Sequence, residues 1–570
     1  MDDIKNNLLQ KILFEAQAYN TYEDIEKLVD GGANLSMIPI QPLYTSLISS
    51  SPGQLAIILP KLSHEQRQAF IDLDLWKKDI VDPGAFEYWI EAYSRVQDDN
   101  LSHEFSTSED FYLYLKSRIN IHTFDAEDPM YPDHDFYFLT DDNLLLIEYG
   151  EDYQFPAELK ILLRSMYDSL GVEGAYTTLF KLINDSFSKL QEDSYQSKKE
   201  RLREFGFVDH YEAMEKLHPF ITYSQIKKFI NKKGRETGNI DIKSQNQSLH
   251  SSALVSFNSD MEHILKELSR VESEKRKIFL HFTFIRLINS TMTLKDALKA
   301  GRIELTRLGA HTRSYLDLGL FYIKDFLGED EIIFSRFDFF DLYKVGLSLV
   351  SIEKNRLKKS LRGKSFEESE QEYFVGAWWG SFLENSFLEI PKVKNFGVGL
   401  HAQYIKDLAS YEFWKKNVIL FSRTSPFIEE FSKTFISLRI DGKLQDDFYL
   451  NYDIADIDFE SILISSFIRF SLYPDDISKR KKLGLTVSEF KTFIETFFVK
   501  TSGEYNLKGL DDLELNLLIK NFVNEYGFSE VEGFSDYLYG VLYENTSGYE
   551  YESLSFDDFK HVGGPILLKV

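Results

Sequence analysis

Residues Ser51–Tyr93 read SPGQLAIILPKLSHEQRQAFIDLDLWKKDIVDPGAFEYWIEAY, and the reading of this stretch sets the reading of the rest. It holds three helix starts in succession. Ser51 with Gln54, and Ser63 with Gln66, have capping-box spacing, in which a hydroxyl and a side-chain amide satisfy backbone N–H groups that the first helical turn leaves without partners. Asp82 followed by Pro83 is the third start, with proline at the first helical position, where no donor is lost. The first two starts lie twelve residues apart, so SPGQLAIIL and SHEQRQAFI predict short antiparallel helices joined through Pro60 and Leu62, pieces that suit a superhelical stack. In the third helix Phe86, Trp89, Ile90 and Tyr93 fall at i, i+3, i+4 and i+7, an aromatic stripe that reads as core. Capping thus accounts for the polar residues and packing for the apolar ones, which leaves function to surfaces elsewhere.

Helical patterning extends in both directions. Ile4, Leu8, Leu9, Ile12 and Leu13 have helical spacing, Thr21 with Asp24 opens a helix closing at Gly31, and Ser106 with Glu109 has the spacing to cap DFYLYLKSRI. FYFLT (136–140), the turn Asp141 to Asn143 and LLLIEYG (144–150) form the one convincing hairpin. Residues 231–252 lose apolar periodicity and read as a linker or loop. Farther on, helices resume; NVILFS (417–422) and SLRI (437–440) read as short strands, and Thr486 with Glu489 caps a late helix. The expected fold is mainly α. A superhelical array of short helices occupies 1–230 with the hairpin near 136–150, the linker follows at 231–252, a second α-rich domain with minor β covers 253–500, and a helical segment closes the chain at 501–570.

Composition narrows the chemistry. The 570 residues contain no cysteine, which excludes disulfides, thiolate zinc sites, cysteine-ligated iron–sulfur clusters and cysteine nucleophiles. A net charge of −26, spread along the chain, disfavours non-specific binding to nucleic acid and to anionic membranes. The start MDDIKNNLLQKILF has no basic region, apolar run or cleavage site of signal type, and the most apolar window, Ile278–Ile288, carries His281 and Arg286. A soluble, cytoplasmic protein is expected, with His281 as a hydrogen-bonded core residue.

No motif for catalysis is complete. Gly397, Gly399 and Ala402 match G-x-G-x-x-A, with NVILFS and Arg423 in the place of a second strand, but the preceding IPKVKNF is a poor buried strand and the acidic ribose partner is missing. Asp125, Glu127, Asp128, Asp133 and Asp135, with His134, lack EF-hand spacing and read as a solvated acidic loop. His64-Glu65 and His103-Glu104 lack the second histidine of a zincin helix. No catalytic, cofactor-binding or metal-binding residue is assigned, and no cofactor is expected. The partner-binding candidates are the adjacent Trp378 and Trp379, which cannot both face one core from a regular helix, and the basic run Lys354, Arg356, Lys358, Lys359 and Arg362. The expected role is a non-enzymatic scaffold or adaptor that binds a protein partner through helical faces. The alternative is an enzyme with a phosphate- or nucleotide-directed site that lacks a standard motif, and no small-molecule ligand is assigned.

Two resemblances accompany these readings. The opening repeat with IDLDLW (Ile71–Trp76) resembles the amino-terminal helical superhelix of MgtE-type magnesium transporters. The order LYTSL, SPGQL, SHEQRQAFIDLDLW, FYFLTDDNLLLIEYG, RLREFGF, ALKAGRIELTRLGAHTRSYLDLGLFYI and LYKVGLSLV, over residues 37–360, resembles an uncharacterised family of large helical bacterial proteins, a domain of unknown function. That resemblance implies a bacterial, soluble, mainly α protein, and implies no activity or catalytic residue.

Overall fold

The computed structural model describes residues 21–38, 40–233, 261–300, 302–366, 372–394, 402–443, 449, 456–551, 554–555 and 566–569. The expected helix at 4–13, residues 234–252 of the expected linker, and Gly397 and Gly399 of the glycine motif lie outside them. The fold is mainly α with minor β: the structure is 66% helical, with 22 helices and sheets of two or three strands among the described residues. It separates into two compact units, one formed by the chain up to Pro219 with Lys228–Val345, the other by Phe220–Lys227 with Gly346–Val570.

In the first unit α1 (Tyr22–Asp30) starts at the Thr21/Asp24 capping box and is followed by α2 (Ile40–Leu47), α3 (Pro52–Ile58) and α4 (His64–Asp74). Both predicted boxes form. The Gln54 N–H donates to Ser51 Oγ at 3.3 Å and the Ser51 N–H to Gln54 Oε1 at 2.9 Å; at Ser63 and Gln66 the distances are 3.2 and 2.9 Å. Gln66 also donates from Nε2 to the carbonyls of Leu35 and Ile38, at 2.9 and 2.8 Å, which pins the turn before α2 to the start of α4. A tight ribbon of β1 (Trp76–Lys77) and β2 (Ile80–Val81) follows, with Lys78 at φ 63° in its turn. Helix α5 (Pro83–Ser94) starts as expected, Asp82 Oδ1 accepting the Gly84 N–H at 3.1 Å, and its aromatic stripe is core, each member at most 2% exposed.

Next come α6 (Asp99–Ser106) and α7 (Glu109–Arg118). The cap of α7 is Ser108, not Ser106: Ser108 has extended backbone and accepts the Phe111 N–H at 3.1 Å, whereas Ser106 is still helical and donates to the His103 carbonyl at 3.2 Å. The expected hairpin forms as β4 (Tyr137–Leu139) and β5 (Leu145–Tyr149), and β3 (Ile119–Thr123) adds a third strand in the order β3-β5-β4. It was hidden at the end of a helical pattern, where INIHT is too short to show its own period. After α8 (Pro156–Asn184), broken at Gly171, come α9 (Phe187–Glu204), α10 (His210–Leu217), α11 (Tyr223–Lys233), α12 (Glu262–Ser269), α13 (Glu274–Lys295), α14 (Arg302–Leu327) and α15 (Phe339–Leu361). Helices α14 and α15 approach so closely that a Cβ at Gly319 would lie 1.9 Å from the Leu342 carbonyl oxygen. His281 on α13 is buried as expected, but neither ring nitrogen has a hydrogen-bond partner among the described residues. Burial pushes its imidazole down to about 4, so it sits neutral in the core.

Besides Phe220–Lys227 and the part of α15 from Gly346 onward, the second unit holds α16 (Ala377–Phe387), the ribbon β6 (Lys392–Val393) with β7 (Gln403–Tyr404), α17 (Leu408–Ile440), α18 (Phe459–Leu472) and α19 (Ile477–Arg480). Then follow β8 (Leu485–Thr486), α20 (Val487–Phe497), the hairpin β9 (Phe498–Thr501) with β10 (Glu504–Leu507), α21 (Leu513–Glu525), α22 (Phe534–Thr546) and β11 (Leu568–Lys569), which pairs parallel to β8. NVILFS and SLRI are not strands; both belong to α17. Asn417, Val418, Leu420 and Phe421 are all buried there, and a helix covered on most of its circumference shows an apolar run instead of a 3.6-residue period. The dinucleotide-unit reading loses its second strand with them. Thr486 and Glu489 form the expected box, at 3.2 and 2.7 Å. No described helix is long and apolar enough to cross a membrane.

Candidate functional site

The candidates named from sequence lie in the second unit and are largely built into its framework. Lys354 Nζ donates to the carbonyls of Leu388 and Glu389 just beyond α16. Arg356 pairs with Glu353 at 3.1 Å; Glu353 also accepts from Tyr223 Oη at 2.5 Å. Lys358, Lys359 and Arg362 are exposed. Trp379 is fully buried, its ring 5.1 Å from Phe421 and 4.8 Å from Tyr537, while Trp378 is half-buried and donates its backbone N–H to Glu460 at 3.0 Å. Burial, reinforced by Asp458, pushes Glu460 up to about 8. Gly376 is required here, since its φ is +91° and a Cβ would lie 2.3 Å from Glu460 Cδ. Trp378 lines a cavity of about 250 Å³ whose basic groups are Lys392 and Lys394; none of the five predicted cations reaches it.

In the first unit the acidic loop 125–135 carries exposed carboxylates, with Asp125 Oδ1 accepting the Glu127 N–H at 2.9 Å. His134 Nε2 lies 3.1 Å from one oxygen of Glu148 and His122 Nε2 2.9 Å from the other. Among the described residues no group of three or more His, Asp or Glu side chains is arranged to hold a metal ion.

The strongest site is a cavity of about 340 Å³ in the first unit, framed by IDLDLW, the β1–β2 ribbon, α9 and the segment after α13. Its frame is ionic. Asp72 on α4 takes a two-pronged grip from Arg201 on α9, at 2.7 and 2.8 Å. Asp74, one helical face away, accepts from Trp89 Nε1 at 2.8 Å and Tyr44 Oη at 3.4 Å. Lys299 reaches the Asp74 carbonyl at 2.5 Å and its carboxylate at 3.4 Å. The two acids of one motif therefore hold α2, α5, α9 and the segment after α13 in place. Close to Asp72 lies the buried carboxyl of Asp110, which accepts from Gln68 Nε2 at 2.7 Å. Burial, then the Asp72 charge, pushes Asp110 up to about 6.

The cavity wall carries Lys77, Lys78, Lys198, Lys199 and Lys299 against Asp72, Asp209 and Asp296, an excess of cations in a chain of net charge −26. Asp72 is bound by Arg201, and Asp209 is engaged by the Tyr195 hydroxyl and caps α10 through the Tyr211 N–H at 3.1 Å. Trp76 also lines it, 6% exposed, and its Nε1 has no acceptor among the described residues. Lys198 Nζ stands 5.0 Å from the Trp76 ring and 5.3 Å from that of Tyr195. Burial pushes the Lys198 ammonium down to about 8; the Lys299 charge acts the same way, and the carboxylates of Asp72 and Asp209 only partly oppose it. Such a wall gathers positive charge around one amine that gives up its proton more readily than an ordinary lysine.

Sequence reasoning had no hold on Lys198 or Lys299, ordinary lysines in polar runs. The available signal was IDLDLW: two acids at i and i+2 inside an apolar helix end, which capping does not explain and which are both buried. The stretch read as architecture alone forms the wall of the candidate site.

No curated protein and no solved structure matches the chain. The description "Family of unknown function (DUF6178)" matches residues 5–394, which include every residue of this cavity, and the chain belongs to that family.

Proposed function

We propose that the first unit binds a small acidic molecule, one carrying carboxylate or phosphate oxygens, in the cavity walled by Trp76, Lys198 and Lys299. The observation that carries the reading is the lysine-rich wall in which Lys198 has no carboxylate within ion-pair reach among the described residues. An anion would supply that partner. Titration calorimetry of the full chain with malonate and with inorganic phosphate tests it. Binding is expected to weaken about tenfold in Lys198→Met, the order of one lost charge-assisted contact. Near pH 8 it should also take up protons, because an anion raises the pKa of the amine it meets. Absence of saturable binding by either probe overturns the proposal.

A second reading, a scaffold that binds a protein partner through helical faces, is favoured by α21, where Leu513 and Leu517, one turn apart, are 87% and 60% exposed. Replacing both by glutamate would abolish retention of a partner if that face is used; unchanged retention of a defined partner would sink it.

A further inference from the structure

The lysines of the cavity are not equivalent. Lys77 is paired with Asp82 at 2.6 Å, and Lys299 is bound to Asp74 through both carbonyl and carboxylate. Lys198 has the packed rings of Trp76 and Tyr195 on one side, the Lys78 carbonyl at 3.5 Å, and no ion pair among the described residues. The rings favour the charged amine only modestly. Loss of water from around it is the larger effect, so the amine titrates at about 8. About one such amine in ten is then free at pH 7, against about one in three thousand for an ordinary lysine. A free amine in a cavity beside other cations is a nucleophile for an electrophilic carbon that arrives attached to a negative charge.

We propose that Lys198 forms an imine with the carbonyl carbon of a small 2-oxo acid, whose carboxylate is held by the neighbouring cations of the cavity. The inference rests on the anion-binding reading above and names its ligand class. The amine lone pair attacks the carbonyl carbon, and the carbonyl oxygen takes up a proton. The nitrogen gives up both of its hydrogens over the two steps, and the oxygen leaves as water, with a C=N bond in place of C=O. No oxidant or reductant takes part. Asp209 and His210 line the same cavity and are the groups through which the protons would pass.

The test uses the full chain with pyruvate and cyanoborohydride, followed by peptide mass mapping. The expected result is a saturable reduced adduct at Lys198, forming at least tenfold faster than at Lys199 or Lys78 and suppressed by malonate, which has the charge without the reactive carbonyl. Lys198→Arg should abolish the adduct with an unchanged far-ultraviolet circular dichroism spectrum. The wild-type site map stands by itself should that variant fold poorly. Adducts spread evenly over the lysines, or none at Lys198 while malonate still binds, would overturn the imine and leave anion binding intact. No adduct together with no malonate binding overturns both.

Discussion

The Trp76 cavity and the Trp378–Trp379 corner each gather a tryptophan, lysines and a buried carboxylate, and they use them in opposite ways. At the corner, Glu460 takes the first N–H groups of α16, Trp379 fills the core against Phe421 and Tyr537, and Lys354 and Arg356 are tied to carbonyls and to Glu353. At the cavity, Asp72 and Asp74 are engaged by Arg201, Trp89 and Lys299, but Lys198 has no ion pair among the described residues. Of the cluster conspicuous in sequence, Trp379, Lys354 and Arg356 are engaged by the framework, and Lys358, Lys359 and Arg362 are exposed. A cation that lines a cavity without a counter-charge is the better candidate for chemistry.

The largest test of this contrast is Trp379→Ala, which should cost about 3–5 kcal/mol in denaturant unfolding as a large buried ring is removed. A loss under about 1 kcal/mol would mean that the ring is not framework after all. On the cavity side, Asp74→Ala should cost about 3 kcal/mol, because Lys299, Trp89 and Tyr44 lose a common acceptor. The same variant should weaken malonate binding, an effect that Trp379→Ala would not reproduce if the two regions differ as described.

Asp110→Asn probes the buried carboxyl next to the cavity frame. Its folded pKa of about 6 exceeds the ordinary 3.8, so the folded state retains a proton that the unfolded chain releases. The stability this supplies is full below about pH 4 and lost as pH rises through about 6. The asparagine variant should therefore be more stable than wild type by about 2 kcal/mol at pH 8 and equal to it at pH 4, measured by urea unfolding at both values. Equal stability at pH 8 would show that the carboxyl is solvated. The smallest effect is expected for Lys358→Ala, Lys359→Ala and Arg362→Ala, each within about 0.5 kcal/mol and without change in anion binding, since the side chains are exposed.

What was legible in the sequence was local. Ser51 with Gln54, Ser63 with Gln66 and Asp82 with Pro83 act on N–H groups within three residues, so their spacing carries the geometry. The Phe86–Tyr93 stripe was legible because one helix has one buried face. Ser108 replaced Ser106 because two hydroxyls competed for one start, and NVILFS misled because α17 is covered on most of its circumference. The acids of IDLDLW were in view from the start, but nothing within their own helix reveals their partners.

By itself, then, the sequence determined the class of fold, the helix starts at Thr21, Ser51, Ser63, Asp82 and Thr486, the hairpin at 136–150 and the absence of cysteine chemistry. Only the tertiary structure decided the site. Arg201 reaches Asp72 across 129 residues of chain, Lys198 meets the Lys78 carbonyl across 120, and Lys299 meets Asp74 across 225. Desolvation is the reason: an amine loses its proton readily only when distant segments pack around it and remove its water, and neither the residue nor its neighbours in sequence record which segments those will be.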